Sequence, residues 1–160
     1  MNKIWLRKLR RREQSECIRL HVLPQQKEFI RSNRYSICEA RASSLQTLLW
    51  KICYENTAVG FIMVRYLYPN NALKHQYPAE TCYELSRIMI DAKYQGSGYG
   101  MAALQQILRY IRTKPLGPAS RLYLSFHPQN TVAQHLYHSA GFEETTDYNA
   151  LGEKIAFISI

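Results

Sequence analysis

Gly96, Gly98 and Gly100 alternate inside the run Gln95-Gly96-Ser97-Gly98-Tyr99-Gly100, just ahead of a helical stretch. Glycines there let backbone N–H groups come close to a ligand, and a helix N-terminus adds partial positive charge, which is the chemistry of a phosphate or pyrophosphate cradle. A tight strand-to-helix turn that needs glycine for geometry alone gives the same pattern. Two nucleotide readings fail on spacing. A P-loop ends in Gly-Lys-Ser/Thr, which is absent, and a dinucleotide fingerprint wants a carboxylate at the end of the next strand, which here ends Ser125-Phe126-His127. Upstream, alternation along Tyr83–Asp91 predicts Glu84, Ser86, Ile88 and Ile90 on one face, with Arg87 and Asp91 on the other. A carboxylate at Glu84 can accept a proton through water or hold a cationic amine, and a strand-end salt bridge is the competing role. Cys17, Cys38, Cys53 and Cys82 form no CxxC pair, and His21, His75, His127, His135 and His138 match no recognised ligand spacing. No metal is expected, and buried reduced thiols are the default.

The elements that must hold these residues follow from periodicity and turn chemistry. Ile4 to Leu9 reads as a strand, and Glu13 through Ala40 as mostly helical, broken at Pro24. Leu48–Tyr54 and Val59–Leu67 read as a hairpin joined by Glu55-Asn56-Thr57-Ala58, and Pro69-Asn70-Asn71 starts a polar loop. After the glycine loop, Met101, Leu104, Ile107, Leu108 and Ile111 repeat at helical spacing until Pro115-Leu116-Gly117-Pro118. Arg121–Phe126 is a strand. Asn130 suits a helix N-cap, Val132, Ala133, Leu136 and Ala140 give an apolar face, and Gly141 suits the C′ position. Phe142–Asp147 and Lys154–Ile160 read as a closing strand pair. The order β-α-α-β-β-β-α-β-α-β-β predicts one α/β domain over residues 1–160, a mixed sheet flanked by helices. Its chemistry is expected where Tyr83–Asp91 and Arg121–Phe126 diverge.

Composition is ordinary for a soluble domain, at 46% hydrophobic and 21% charged residues. No apolar run approaches the roughly 20 residues of a membrane span, and the basic run after a very short apolar start has the wrong order for a secretory signal. Cytoplasmic localisation is the expectation, with no membrane partner. The net charge of +9, with Lys3, Arg7, Lys8, Arg10, Arg11 and Arg12 clustered early, favours anionic partners or is a solvated basic face. No zinc-finger or RNA-binding signature accompanies it, so no nucleic acid is expected.

The run Gln95–Gly100 resembles the Q/R-x-x-G-x-G/A acetyl-CoA signature of the GNAT N-acetyltransferases, and the strand before it and Asn130–Phe142 (N-x-x-A-x-x-L-Y-x-x-x-G-F) resemble that family at the expected separation. Within it, LHVLPQQKEFI, AVGFIM, RIMIDAKYQGSGYG and LSFHPQNTVAQHLYHSAGF look most similar to bacterial spermine/spermidine (diamine) acetyltransferases, most weakly between Leu67 and Thr81. The resemblance implies a GNAT fold whose mixed sheet splays between the fourth and fifth strands. It implies that the backbone of Ile88, Met89 and Ile90 pairs with pantetheine and that Gln95, Gly96, Ser97, Gly98, Tyr99, Gly100 and Met101 cradle the pyrophosphate. Tyr123, Leu124 and Ser125 would line the splay, with Asn130 and Ala133 on the cofactor side of the last helix. Ser97 and Met101 depart from the basic residues common at those positions, which removes phosphate contacts but spares the backbone cradle.

The same resemblance makes Tyr137, two helical turns past Asn130, the general acid beside the cofactor sulfur. An ordinary core tyrosine is its alternative. An amine with pKa near ~10.4 is protonated at neutral pH and must lose a proton before attacking a thioester, which gives Glu84 its possible role as base through water. The expected activity is transfer of acetyl from acetyl-CoA, as cosubstrate, to a small-molecule primary amine, with a polyamine such as spermidine or spermine preferred. Glu28, Glu39 and Glu55 lie where such a pocket often draws acidic residues. A protein lysine or N-terminal acetyltransferase, and a non-catalytic acetyl-CoA-binding or basic nucleic-acid-binding module, are the alternatives, and a homodimer is kept open for the assembly.

Overall fold

Seven strands form one mixed sheet in the spatial order β1-β2-β3-β4-β5-β7-β6. The computed structural model describes residues 4–69, 77–78 and 80–160, so the expectations on Lys3, on Asn70 and Asn71 and on His75 lie outside the described residues. The strands are β1 (Ile4–Lys8), β2 (Thr47–Tyr54), β3 (Thr57–Leu67), β4 (Cys82–Ile90), β5 (Arg121–Phe126), β6 (Glu143–Tyr148) and β7 (Lys154–Ser159). All neighbours are antiparallel except β4 and β5. The helices are α1 (Gln14–Ile18), α2 (Asn33–Ala42), α3 (Tyr99–Ile111) and α4 (Thr131–Ser139). The predicted element order and mixed, helix-flanked α/β architecture are what the chain adopts.

Helix is sparser than expected between Glu13 and Ala40. Only α1, with 5 residues, and α2, with 10, are α-helical there, and a short 3₁₀ turn at Pro24–Gln26 lies between them. Pro24 at the start of that turn and the Ser32 cap on Tyr35 N–H divide the stretch into short pieces. The β2–β3 turn is tighter than predicted, Glu55-Asn56 alone, with Glu55 at φ 51°. Val132 is 69% exposed, so the apolar face of α4 consists of Ala133, Leu136, Tyr137 and Ala140 against the main core. Cys17, Cys53 and Cys82 are buried free thiols, whereas Cys38 is exposed on α2. Burial pushes the Cys17 and Cys82 thiols up to about 12.

Two layers cover the sheet. The main core unites the strands with α3 through Leu104, Ile107, Leu108 and Ile111, and a second cluster of Cys17, Ile37, Phe61, Met63 and Met89 packs α1 and α2 on the other face. Gly60 sits where β3 meets β4. A Cβ there would lie 2.4 Å from the Met89 carbonyl oxygen, a backbone atom that cannot rotate away. Gly60→Ala is therefore expected to cost about 1–3 kcal/mol. An unchanged midpoint in denaturant melts would mean that the two strands are not so closely apposed.

Candidate active site

Strands β4 and β5 pair at only two rungs, Tyr83↔Leu122 and Glu84↔Tyr123. Beyond them they diverge, leaving Leu85–Ile90 on one side of a wedge and Leu124–Phe126 on the other. Ile88, Met89 and Ile90 therefore lie on a strand edge without a β5 neighbour, where backbone groups can serve an extended ligand. The Ile90 carbonyl accepts from Gln95 Nε2 at 2.9 Å, and Gln95 exchanges side-chain hydrogen bonds with Gln26. Gln95 thus braces the loop to the end of β4 and to the α1–α2 segment.

The glycine loop has the room and the donors that a pyrophosphate needs. Gly96 and Gly98 are exposed at φ 78° and 77°, and a Cβ built on either would meet nothing within 4 Å. Gly98 is the N-cap of the 13-residue α3 and provides no capping side chain, so the first N–H groups of that helix face outward with no side chain of the cap across them. These residues fit the diphosphate of a coenzyme. Tyr99, by contrast, is buried with its ring stacked on Tyr54 at 5.3 Å, so only its backbone remains for the cradle. Gly100 packs near Ile90 and Leu136, and Met101 is half-buried.

On the β5 wall, Tyr123 and Leu124 are buried, and the Tyr123 hydroxyl donates to Glu80 at 2.8 Å. Ser125, half-buried, is the side chain of the three that faces the polar cluster of the wedge. Asn130 caps α4 as expected, its side chain accepting from Ala133 N–H at 3.2 Å. Tyr137 packs between Phe126 and Phe142, with ring centroids 5.8 and 5.7 Å away. The residue is half-buried. Burial, with the Glu153 charge adding to it, holds the phenol well above the usual tyrosine range.

The face predicted for Glu84 needs correction. β3 pairs Met63 with Arg87 and Val64 with Leu85, so Ser86 is an extra residue in β4. A bulge of this kind resets the period-two alternation. Tyr83 and Leu85 before it, and Ile88 and Ile90 after it, all reach the main core with α3. Glu84 instead shares the other face with Arg87, and both belong to one polar cluster. Arg65 lies 2.8 Å from Glu39 and 3.7 Å from Glu84, and Arg87 lies 3.5 Å from Glu39. Glu84 also accepts from Tyr77 Oη at 2.9 Å and from Ser86 Oγ at 2.5 Å. Burial, then the nearby Glu84 charge, pushes the Tyr77 phenol well above its ordinary value. Of the three other candidate acids, Glu39 joins this cluster, Glu28 is exposed on the α1–α2 segment, and Glu55 occupies the β2–β3 turn. Asp91 is buried and structural, accepting from the backbone N–H groups of His21 and Lys93.

Three residues that sequence reasoning did not single out complete the wedge. Tyr77 reaches Glu84, its hydroxyl donating to Oε1 at 2.9 Å. Ser125 Oγ donates to Glu153 Oε2 at 2.8 Å, and Asn149 Nδ2 donates to the same oxygen at 2.7 Å. Two polar pairs thus face the wedge, Tyr77 on Glu84 at the β4 side and Ser125 on Glu153 at the β5 side. The Asn149-Ala150-Leu151-Gly152 turn carried an Asx-turn signal, but nothing in the sequence showed which strand it would face.

The sequence profile of the acetyltransferase (GNAT) family matches residues 7–142. The chain belongs to the GNAT acetyltransferase family. As a member it is an acetyl-CoA-dependent N-acetyltransferase. A spermine/spermidine N(1)-acetyltransferase of Bacillus subtilis is 29% identical over 136 residues, 85% of each chain. The fold also matches that of the PaiA N-acetyltransferase from Thermoplasma acidophilum, solved with coenzyme A, at a TM-score of 0.70, 18% identity and 99% coverage of both chains. A ribosomal-protein-alanine N-acetyltransferase from Escherichia coli superposes at a TM-score of 0.66 with 17% identity, covering 98% of this chain and 94% of that one. Among the described residues no helix is long and apolar enough to cross a membrane.

Proposed function

We propose that this GNAT enzyme acetylates a small-molecule primary amine, preferably a polyamine such as spermidine or spermine. The observation that carries the reading is a phenol, Tyr137 on the last helix, and a carboxylate, Glu153, which Ser125 holds at the end of the β5 wall and which pairs with no cation among the described residues. An ammonium substrate needs an acceptor for its charge and proton, and the departing thiolate needs a donor. The activity for which the Bacillus subtilis relative is named supports the polyamine.

In this reading the backbone of Ile88, Met89 and Ile90 and the loop from Gln95 through Gly96, Ser97, Gly98, Tyr99 and Gly100 to Met101 hold acetyl-CoA. Tyr123, Leu124 and Ser125 form the opposite wall, and Asn130 and Ala133 start the helix beside it. When bound, the cosubstrate supplies an activated acetyl thioester. Tyr137 donates its hydroxyl hydrogen toward the sulfur. Glu84, whose oxygens already accept from Tyr77 and Ser86, acts at one remove, its charge lying behind the Tyr77 hydroxyl.

Gly98→Asp tests the cradle. It adds a side chain and a negative charge at the α3 N-terminus, so acetyl-CoA affinity should fall tenfold or more, about 1.4 kcal/mol. Calorimetry with unchanged affinity in a folded variant would remove the loop from the site.

A peptide amine is the second reading. A panel of spermidine, spermine, shorter diamines and lysine-bearing or free-N-terminal peptides, read by thiol release, decides between them. Polyamine turnover no better than that of the peptides would sink the polyamine assignment.

A further inference from the structure

The turn between β6 and β7 is constructed to hold one carboxylate rigidly. Asn149 is buried, and its Oδ1 accepts from the N–H groups of Leu151 at 2.9 Å and Glu153 at 3.0 Å. Its own N–H donates to the Glu153 carbonyl and its carbonyl accepts from Gly152 N–H, both at 2.9 Å. The β5–β7 register, with Phe126 opposite Lys154, then sets Glu153 just past the last rung, at the open end of the β5 wall. Oε2 is held by Ser125 and Asn149. Glu153 is half-buried, and its Oε1 accepts no hydrogen bond from a described residue. No described Lys, Arg or His pairs with Glu153, and the adjacent Lys154 lies over the Tyr148 ring at 4.7 Å.

Glu84 has the opposite character. It is buried, with Tyr77, Ser86 and Arg65 around its oxygens. Of the two carboxylates, Glu153 is the one an incoming cation can touch.

We propose that Glu153 is a catalytic residue of the acetyl transfer, receiving the substrate's ammonium on Oε1 and taking its first proton. This rests on the amine-acetylating function proposed above. The ammonium N–H bond breaks and its proton passes to the carboxylate and then to solvent. The freed nitrogen lone pair forms the C–N bond as the C–S bond breaks. Tyr137 gives a proton to the leaving sulfur, and the second proton lost by nitrogen restores the phenol. One proton is released per turnover, as an ammonium substrate and a thiol product require. Glu153 and Tyr137 are also coupled. The Glu153 charge opposes ionisation of Tyr137, so neutralising Glu153 makes the phenol a better donor at the step that needs it.

The test compares Glu153→Gln with wild type on spermidine, an ammonium at neutral pH, and on an aromatic amine whose nitrogen is already neutral. The variant's kcat/KM for spermidine should fall about 30-fold, while the aromatic amine changes less than threefold and acetyl-CoA affinity and melting temperature hold. Glu153→Asp, which keeps the charge, should recover part of the loss and guards against misfolding of the glutamine variant. Equal losses on both amines, or no loss on spermidine, would overturn the role. Calorimetry of spermidine on the CoA-loaded protein separates this from failure of the parent reading. If wild type turns over no amine yet binds spermidine at least tenfold more tightly than Glu153→Gln, the ammonium seat stands and the acetylation assignment falls. Equal binding, or none, overturns the seat itself.

Discussion

Tyr137→Phe is expected to lower kcat by roughly 10²-fold while leaving the melting temperature close to wild type, the usual scale for losing a positioned proton donor. The ring stays between Phe126 and Phe142, and only the hydroxyl is lost. That hydroxyl donates no hydrogen bond to a described residue, so phenylalanine leaves no partner stranded. Because burial and Glu153 keep the phenol protonated, the donor is present throughout the neutral range. Loss of the acid form should therefore not appear in the wild-type pH–rate profile until well above pH ~10. Solvent-derived proton donation would be left in the variant, and thioester donors with a less basic leaving thiol would suffer least. A variant that melts earlier but turns over normally would make Tyr137 a core tyrosine.

Motifs that depend on local geometry were legible in the sequence. The Gly96–Gly100 loop, the Asn130 cap and the α3 periodicity each involve residues a few positions apart, and the structure builds the loop, cap and helix at those positions. Glu84 was legible as a residue but not as a direction. Its side chain turns to the α2 face because Ser86 is inserted against β3, and a bulge without a glycine leaves no mark in the sequence. Glu153 and Tyr77 were not legible at all. Their place in the site depends on the β5–β7 register and on a segment distant in sequence from Ser125, and neither belongs to a local pattern. Arg65 looked like one more cation in a basic chain, though 5% exposure and two carboxylate partners make it the hinge of the cluster on the α2 face.

Arg65→Met should consequently be among the most damaging single changes away from the reacting atoms. Methionine matches the length of the aliphatic stem, so little packing is lost, but Glu84 and Glu39 lose their shared cation. Breaking a buried pair by removing one partner costs about 3–5 kcal/mol. Glu39 keeps Arg87 at 3.5 Å and is partly solvated, so the lower end, about 3 kcal/mol, is expected here. For a chain of this size that corresponds to a melting temperature lower by roughly 6–12 °C. In the variant a buried carboxylate lacks its cation. Adding Glu84→Gln to Arg65→Met removes the stranded charge directly and should recover part of the lost stability at neutral pH, whereas two independent losses would simply add. A single variant melting within about 2 °C of wild type, with no rescue in the double, would mean that the Arg65–Glu84 contact at 3.7 Å contributes nothing to the fold.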